Sequence, residues 1–128
     1  MSPEFLDIDD VLDIHATQLA RFGGLDGIRD MGLLESALAQ PSASFGAEWL
    51  HADHFEMAAA YLYHIVSNHP FLDGNKRTGL ICALTFLGIN GVEIQCDEPE
   101  LENMVMMAAK SELSKPEIAG FFRRHIKG

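Results

Sequence analysis

One helix-length segment, residues 75–90, is apolar on almost every side and constrains the fold more than any other feature. Its most apolar stretch, residues 79–89, reads Gly-Leu-Ile-Cys-Ala-Leu-Thr-Phe-Leu-Gly-Ile. A helix without a polar face is stable in water only when other elements cover it. The stretch is also about half as long as the ~20 residues that a membrane-spanning helix needs. We therefore expect a buried central helix inside a helical bundle, and no membrane association.

Apolar spacing and end signals predict further helices around this segment. The expected helices are 8–22, 32–39, 53–68, 75–90, one opening at Asp97 and one opening at Ser114. Residues 92–96 alternate between apolar and polar and permit a short extended piece, whereas residues 41–52 are expected to form a loop. The whole chain, residues 1–128, is thus expected to be a single all-α domain. It would be a bundle of about six helices around the buried central one, with at most a short extended piece.

The chain is strongly acidic, with a net charge of −10 from nine Lys plus Arg against nineteen Asp plus Glu. Such a surface repels a phosphate backbone, so general nucleic-acid binding is not expected. Residues 30–109 contain eleven acidic residues and two cations, Lys76 and Arg77. The first ten residues lack the basic region that opens a signal peptide, and two cysteines do not suggest a disulfide framework. We expect a reduced, cytoplasmic protein.

The two mid-chain cations end the segment His-Pro-Phe-Leu-Asp-Gly-Asn-Lys-Arg, residues 69–77, which leads into the apolar helix. Free backbone N–H groups and the positive end of the helix dipole meet at such a first turn, where anions bind. Gly74 lets the backbone approach an anion closely because it has no Cβ. Lys76 and Arg77 add positive charge at the same place.

Two further side chains of this segment suit chemistry on a phosphate. Asp73 offers oxygen ligands to Mg²⁺, which would offset its repulsion of an anion. His69 could act as a general base toward a hydroxyl, because imidazoles titrate near neutral pH. A base, a metal ligand and an anion site together indicate phosphoryl or nucleotidyl transfer. The same residues are also compatible with a plain turn, in which Asn75 caps the helix and the cations are solvated.

The segment HPFLDGNKR resembles the signature of the Fic/Doc (Fido) family, roughly HxFx(D/N)(A/G)N(K/G)R, and matches every specified position. Residues 22–30, 32–38, 86–87 and 90–92 are similar to the death-on-curing (Doc) branch of that family. AMP-transferring members usually have glycine in place of Lys76 and a second arginine in place of Leu80. Both positions therefore favour the Doc branch.

The resemblance implies an activity as well as a fold. Members of the Doc branch resemble kinases that phosphorylate a hydroxyl on a translation elongation factor, and a separate antitoxin chain neutralises them. By this likeness the protein is expected to be a toxin that transfers the γ-phosphate of ATP, with Mg²⁺, to a Ser/Thr hydroxyl of a target protein of the translation machinery. The implied roles are base for His69, Mg²⁺ ligand for Asp73, and phosphate binding for Gly74, Asn75, Lys76 and Arg77.

Two alternatives stay open on the sequence. One is the Fic-type reaction, AMP transfer to a protein hydroxyl. The other is a catalytically weak binding module with this fold, since family members can carry an arginine where this chain has Ser67 and an asparagine where it has Ile81. The loop at residues 41–52 could dock the target through Phe45 and Trp49, or Trp49 could simply pack beneath the loop.

The remaining histidines have less specific interpretations. His51 and His54 could form part of a metal pair, although no third ligand is evident and catalytic zinc sites usually need three. His64 is expected to pack between helices, and His15 to pack or to lie on the substrate side. His125, beside two arginines, is expected on a solvated helix face.

Overall fold

The structure is a computed structural model that describes residues 2–128. Within these residues it has six helices: α1 Ile8–Phe22, α2 Met31–Ala39, α3 His54–Asn68, α4 Asn75–Ile89, α5 Glu98–Ala109 and α6 Lys115–Arg124. The sheet in this part of the chain is one antiparallel hairpin of two short strands, β1 Ser44–Phe45 and β2 Glu48–Trp49. The expected all-α bundle of about six helices is confirmed.

Side-chain caps begin five of the six helices in residues 2–128. Each cap accepts a backbone N–H of the first turn, and the caps are Asp7, Asp30, Asp53, Asp97 and Ser114. The expected helix start at Asp53 is confirmed, since its Oδ1 accepts from the Glu56 N–H at 2.9 Å. Such a cap stabilises a helix by about 1 kcal/mol. The exception is α4, which follows Gly74 and is capped by no described side chain.

Helices α3 and α4 pack against each other along their length and form the centre of the bundle. Gly79 makes this close packing possible, because a Cβ there would lie 3.2 Å from side-chain atoms of both Leu62 and Val66. The largest fully buried side chains include Tyr61, Phe71, Phe86 and Phe122. The apolar segment is therefore central as expected, although Ile89 at its far end stays 47% exposed. None of the helices in residues 2–128 is both long and apolar enough to cross a bilayer.

The extended pieces differ in position from the sequence expectation. The hairpin β1–β2 lies within residues 41–52, which were expected to form a loop, and Gly46 takes a φ of 65° at its turn. Strands of two residues are too short to produce a readable alternation of apolar and polar residues. In residues 92–96 the expected extended piece amounts to a bridge between Ile94 and Ile126.

The hairpin carries two aromatic side chains with different surroundings. Phe45 is 87% exposed. The Trp49 ring lies 5.4 Å from the ring of Phe5, so it packs onto the chain that precedes α1. Docking of a target protein on this hairpin stays a prediction.

Candidate active site

The loop between α3 and α4 lines a cleft of about 600 Å³, together with the end of α1 and the first turn of α4. All six residues expected from the sequence line this cleft: His69, Asp73, Gly74, Asn75, Lys76 and Arg77. The fold therefore brings the predicted base, metal ligand and phosphate binders to one place. Their individual roles stay predictions.

His69 ends α3 in the left-handed backbone conformation, with φ 51° and ψ 54°. Non-glycine residues adopt this conformation rarely, and histidine is among those that tolerate it best. Arg29 holds the turn, because its Nε donates to the His69 carbonyl at 2.6 Å and its Nη2 donates to the Asn68 carbonyl at 2.8 Å. The last carbonyls of a helix lack partners within the helix. Arg29 thus fixes the backbone that carries the imidazole, while the His69 side chain stays exposed in the cleft.

The turn that follows α1 fixes the rest of the loop through backbone hydrogen bonds. The Leu72 N–H donates to the Gly27 carbonyl at 3.0 Å. The N–H groups of Arg29 and Asp30 both donate to the Pro70 carbonyl, at 2.7 and 3.1 Å. These hydrogen bonds connect the loop to another part of the same chain, so the folded chain itself sets the path of the loop.

Asn75 is buried beneath the loop and serves it as an internal brace. Its Oδ1 accepts from the Phe71 N–H, and its Nδ2 donates to the Phe71 carbonyl, both at 3.0 Å. These two bonds engage both polar ends of the side-chain amide. The backbone N–H of Asn75 is the group that the first turn of α4 offers to an anion, and the predicted phosphate-binding role of Asn75 stays a prediction.

The Asp73 carboxylate is exposed and held by two backbone donors. Its Oδ2 accepts from the Leu25 N–H and its Oδ1 from the Gly74 N–H, both at 3.2 Å. Gly24 packs so close that a Cβ there would lie 3.1 Å from Oδ2. Each carboxylate oxygen keeps a free lone pair. Mg²⁺ is commonly held by one or two carboxylates plus substrate phosphates, so the Asp73 carboxylate is suited to bind it.

The first turn of α4 presents free donors to the cleft. Gly74 occupies the cap position with a φ of 78°, a conformation that favours glycine, and no side chain in residues 2–128 accepts from this turn. The N–H groups of residues 75–77 and the positive end of the helix dipole are thus available to an anion. Lys76 and Arg77 are exposed beside them. The Arg77 guanidinium lies 3.9 Å from the centroid of the Phe22 ring, a cation–π contact that holds it against the cleft wall.

Two residues that support the loop were not assigned this role from the sequence. His15 of α1 places its Nε2 2.9 Å from the Asp73 carbonyl. Its buried position follows the helical spacing of Val11, and Gln18 continues the same face. Polar residues on a buried helix face were the available signal. Arg29 gave no comparable signal, because its partners lie about forty residues further along the chain.

A second group of titratable residues lies outside the cleft, between α3, α6 and the loop before α3. The Lys115 ammonium lies 3.0 Å from His64 Nε2 and 3.4 Å from His51 Nε2. Burial, reinforced by Lys115 and His51, lowers the pKa of His64 to about 4. His54 instead packs edge-on to Phe86. The suggested metal pair of His51 and His54 therefore finds no support in residues 2–128.

Comparisons with known proteins agree with this geometry. The model of the Fic/DOC family matches residues 5–87. The chain is 37% identical over 116 residues to Protein kinase doc of Escherichia phage P1, covering 91% of this chain and 90% of that protein. It is 44% identical over 94 residues to Toxin Doc of Mycolicibacterium smegmatis, covering 73% of this chain and 70% of that protein. The family model and both relatives span most of the chain, and the protein therefore belongs to the Fic/Doc family.

Proposed function

We propose that this protein is a Doc-type toxin that transfers the γ-phosphate of ATP to a Ser/Thr hydroxyl of a target protein, with Mg²⁺. One observation carries the proposal: a single cleft holds the His69 imidazole, the Asp73 carboxylate and the uncapped first turn of α4 with its two cations. Relatives named as a protein kinase and as a toxin support it. The proposed target belongs to the translation machinery, with an elongation factor as the first candidate, and the proposed restraint is a cognate antitoxin.

In this mechanism the first turn of α4 binds the phosphates. The N–H groups of residues 75–77 donate to phosphate oxygens, and the helix dipole adds to their attraction. Lys76 supplies a compact positive charge, whereas Arg77 supplies a planar fork that can bind two oxygens at once. Mg²⁺, when bound at Asp73, neutralises part of the phosphate charge.

His69 takes the proton of the acceptor hydroxyl. The hydroxyl oxygen forms a bond to the γ-phosphorus while the bond from that phosphorus to the β–γ bridging oxygen breaks, so that ADP leaves. The hydroxyl proton ends on the imidazole. A positioned base of this kind typically accelerates a reaction by about 10²–10⁴-fold. The exposure of the His69 side chain suits this role, since the acceptor is part of another protein.

Lys76 is the residue that favours phosphorylation over AMP transfer. Its side chain is exposed at the first turn of α4, where the phosphates bind in this mechanism. AMP-transferring members resemble this chain in the motif but usually have glycine at that position. We propose that the lysine excludes the phosphate pose used for AMP transfer. It would favour a nucleotide bound in the opposite direction, which delivers its γ-phosphate to the hydroxyl.

The experiment that tests the reaction uses ATP labelled at either the γ- or the α-phosphate. The purified protein is incubated with each form, Mg²⁺ and a bacterial cell extract, and the labelled protein is weighed by mass spectrometry. We expect γ-label only, with a mass gain of one phosphoryl group. Transfer of α-label would overturn the proposal in favour of AMP transfer. No label, together with no heat on titration with ATP and Mg²⁺, would overturn it in favour of a binding module.

Matched variants test the assignment of the base. His69→Asn removes the imidazole but suits the left-handed backbone, because asparagine is also enriched there. We expect this variant to lose both label transfer and growth inhibition on expression. Lys127→Ala is the control, because Lys127 is exposed outside the cleft and its ammonium lies 3.6 Å from the Glu93 carboxylate. This variant should transfer label at the unaltered rate. An active His69→Asn protein would contradict the role of His69.

A further inference from the structure

Outside the cleft, three side chains of different metal-binding types meet where the start of α5 lies beside the end of α6. They are Cys96, Glu100 and His125, and one ligand atom from each lies within 4.8 Å of the others. Cys96 precedes α5, Glu100 belongs to its first turn, and His125 directly follows α6. A backbone hydrogen bond connects the two regions, since the Gln95 N–H donates to the His125 carbonyl at 2.7 Å.

The His125 ring is oriented so that its two nitrogens have different partners, Phe121 and Glu100. Its Nδ1 lies 2.7 Å from the Phe121 carbonyl, which can only accept, so Nδ1 carries a proton. Its Nε2 lies 2.9 Å from Glu100 Oε2. Two lone-pair atoms at this distance repel each other unless a proton lies between them or one cation binds both. A ring N–H that donates to a backbone carbonyl is also the usual way in which a metal-binding histidine is oriented.

Packing fixes this orientation further. The His125 ring stacks on the Phe121 ring with centroids 4.2 Å apart, and the His125 side chain is 19% exposed. The Glu100 side chain is 53% exposed, so the solvent beside it leaves room for rotation. The site therefore combines one rigid ligand with one adjustable ligand.

A nucleophilic thiol is the other use of this residue set, and the geometry argues against it. In a Cys–His–acid triad the imidazole connects the thiol and the carboxylate through its two different nitrogens. Here the Phe121 carbonyl engages Nδ1, and Glu100 lies on the Nε2 side with Cys96 nearby. The three ligand atoms lie within 4.8 Å of one another, close enough for one ion to bind all three.

We propose that Cys96, Glu100 and His125 bind one Zn²⁺ ion, with water as the fourth ligand. A thiolate and an imidazole select a borderline ion such as zinc, whereas Mg²⁺ and Ca²⁺ take oxygen ligands. Tetrahedral bonds of about 2.0–2.3 Å hold the ligand atoms of zinc about 3.4–3.6 Å apart. Rotation of Glu100 would therefore widen its 2.9 Å separation from His125 Nε2 to admit the ion. Binding releases the thiol proton and any proton on Nε2 to solvent. The ion would tie the start of α5 to the end of α6, and it is separate from the magnesium proposed at Asp73.

Titration of the full-length protein with Co²⁺ and then Zn²⁺ tests the site. A thiolate ligand gives Co²⁺ a charge-transfer band in the near ultraviolet, and a tetrahedral site gives intense visible bands. We expect one equivalent of Co²⁺ to produce both signals and one equivalent of Zn²⁺ to remove them. Cys96→Ser should lose the charge-transfer band and bind Zn²⁺ at least tenfold more weakly. Cys82→Ala, which removes the other thiol of the chain, should keep both signals.

The other two ligands are tested by His125→Gln and Glu100→Gln, with Glu98→Gln as the control in the same turn of α5. We expect each ligand variant to weaken Zn²⁺ binding at least tenfold and the control to leave it unchanged. Zn²⁺ should also raise the thermal unfolding midpoint of the unaltered protein more than that of the ligand variants. Circular dichroism checks that all variants fold. Absence of the charge-transfer band, or binding that survives in both ligand variants, would overturn the proposal and indicate adventitious binding at a thiol.

Discussion

The imidazole of His15 lies flat against the ring of Phe71, with the ring centroids 3.8 Å apart and the planes inclined by 8°. From this position its Nε2 lies 2.9 Å from the Asp73 carbonyl. His15 belongs to α1, whereas both partners belong to the loop between α3 and α4. Helix α1 therefore supports the loop that carries the proposed magnesium ligand, and His15 is a positioning residue.

The substitution His15→Phe separates the two contacts. It keeps an aromatic ring against Phe71 but removes the hydrogen bond to the Asp73 carbonyl. We expect kcat to fall about tenfold, with less change in KM for ATP, and the free energy of unfolding to fall by about 1–2 kcal/mol. Asp13→Asn, at an exposed position of the same helix, should change neither quantity. An unaltered kcat in His15→Phe, measured beside urea unfolding, would contradict the positioning role.

Two neighbouring glycines test how closely the Asp73 carboxylate is packed. A Cβ at Gly24 would lie 3.1 Å from Asp73 Oδ2, whereas a Cβ at Gly23 would meet nothing within 4 Å. Both have positive φ, so Ala at either position should cost about 1 kcal/mol of folding stability. Only Gly24→Ala should raise the Mg²⁺ concentration needed for half-maximal transfer. Equal effects of the two variants would show that backbone strain alone explains them.

The contact between Phe22 and Arg77 predicts a modest effect on nucleotide binding. A cation–π contact of about 0.5–1 kcal/mol holds the guanidinium, so Phe22→Leu should raise KM for ATP about two- to fivefold. Steady-state kinetics at varied ATP concentration measure this change. Phe45→Leu, on the exposed hairpin, should leave KM for ATP unchanged. A fall in kcat without a change in KM would indicate that Phe22 acts otherwise.

The cluster of His64, His51 and Lys115 predicts lower stability in mild acid. In the folded chain the pKa of His64 is lowered from 6.5 to about 4, first by burial and then by Lys115 and His51. The unfolded chain therefore takes up this proton at a higher pH than the folded chain. The free energy of unfolding therefore keeps the full contribution of neutral His64 above about pH 6.5, and this contribution declines as the pH falls toward 4.

Urea unfolding at pH 7, 6 and 5 measures that decline. The midpoint should move to lower urea concentration as the pH falls, and His64→Gln should reduce the movement. His54→Gln removes a histidine outside this cluster, and its urea midpoint should move with pH as in the unaltered protein. A His64→Gln protein with the original pH dependence would exclude His64 as its source.

Local signals predicted the helix starts and the cleft residues, because both depend on neighbours in the sequence. The helix expected to open at Ser114 does so, with Ser114 and Glu117 in a reciprocal capping box. The nine residues of the motif form one continuous loop and helix start. The supports of that loop come from distant positions. Arg29 lies 40 residues from His69, and His15 lies 58 residues from Asp73. Spacing along the chain carries no information about such tertiary pairs.

Two side chains have surroundings that their local sequence did not indicate. The side-chain amide of Asn75 bonds to the loop backbone, where it supplies partners for the Phe71 N–H and carbonyl. His125 was expected on a solvated face, and that prediction was wrong. The end of the chain turns back to pair with residues 93–95, which brings the ring beside Glu100.

The loop that carries Asp73 takes its shape from bonds within the chain, including the one from the Leu25 N–H. On the proposed function, the toxin needs no partner chain to hold this loop in its shape. Timing then decides the fate of the cell that makes it. If the proposed antitoxin restrains this toxin, translating the antitoxin before the toxin would protect the cell.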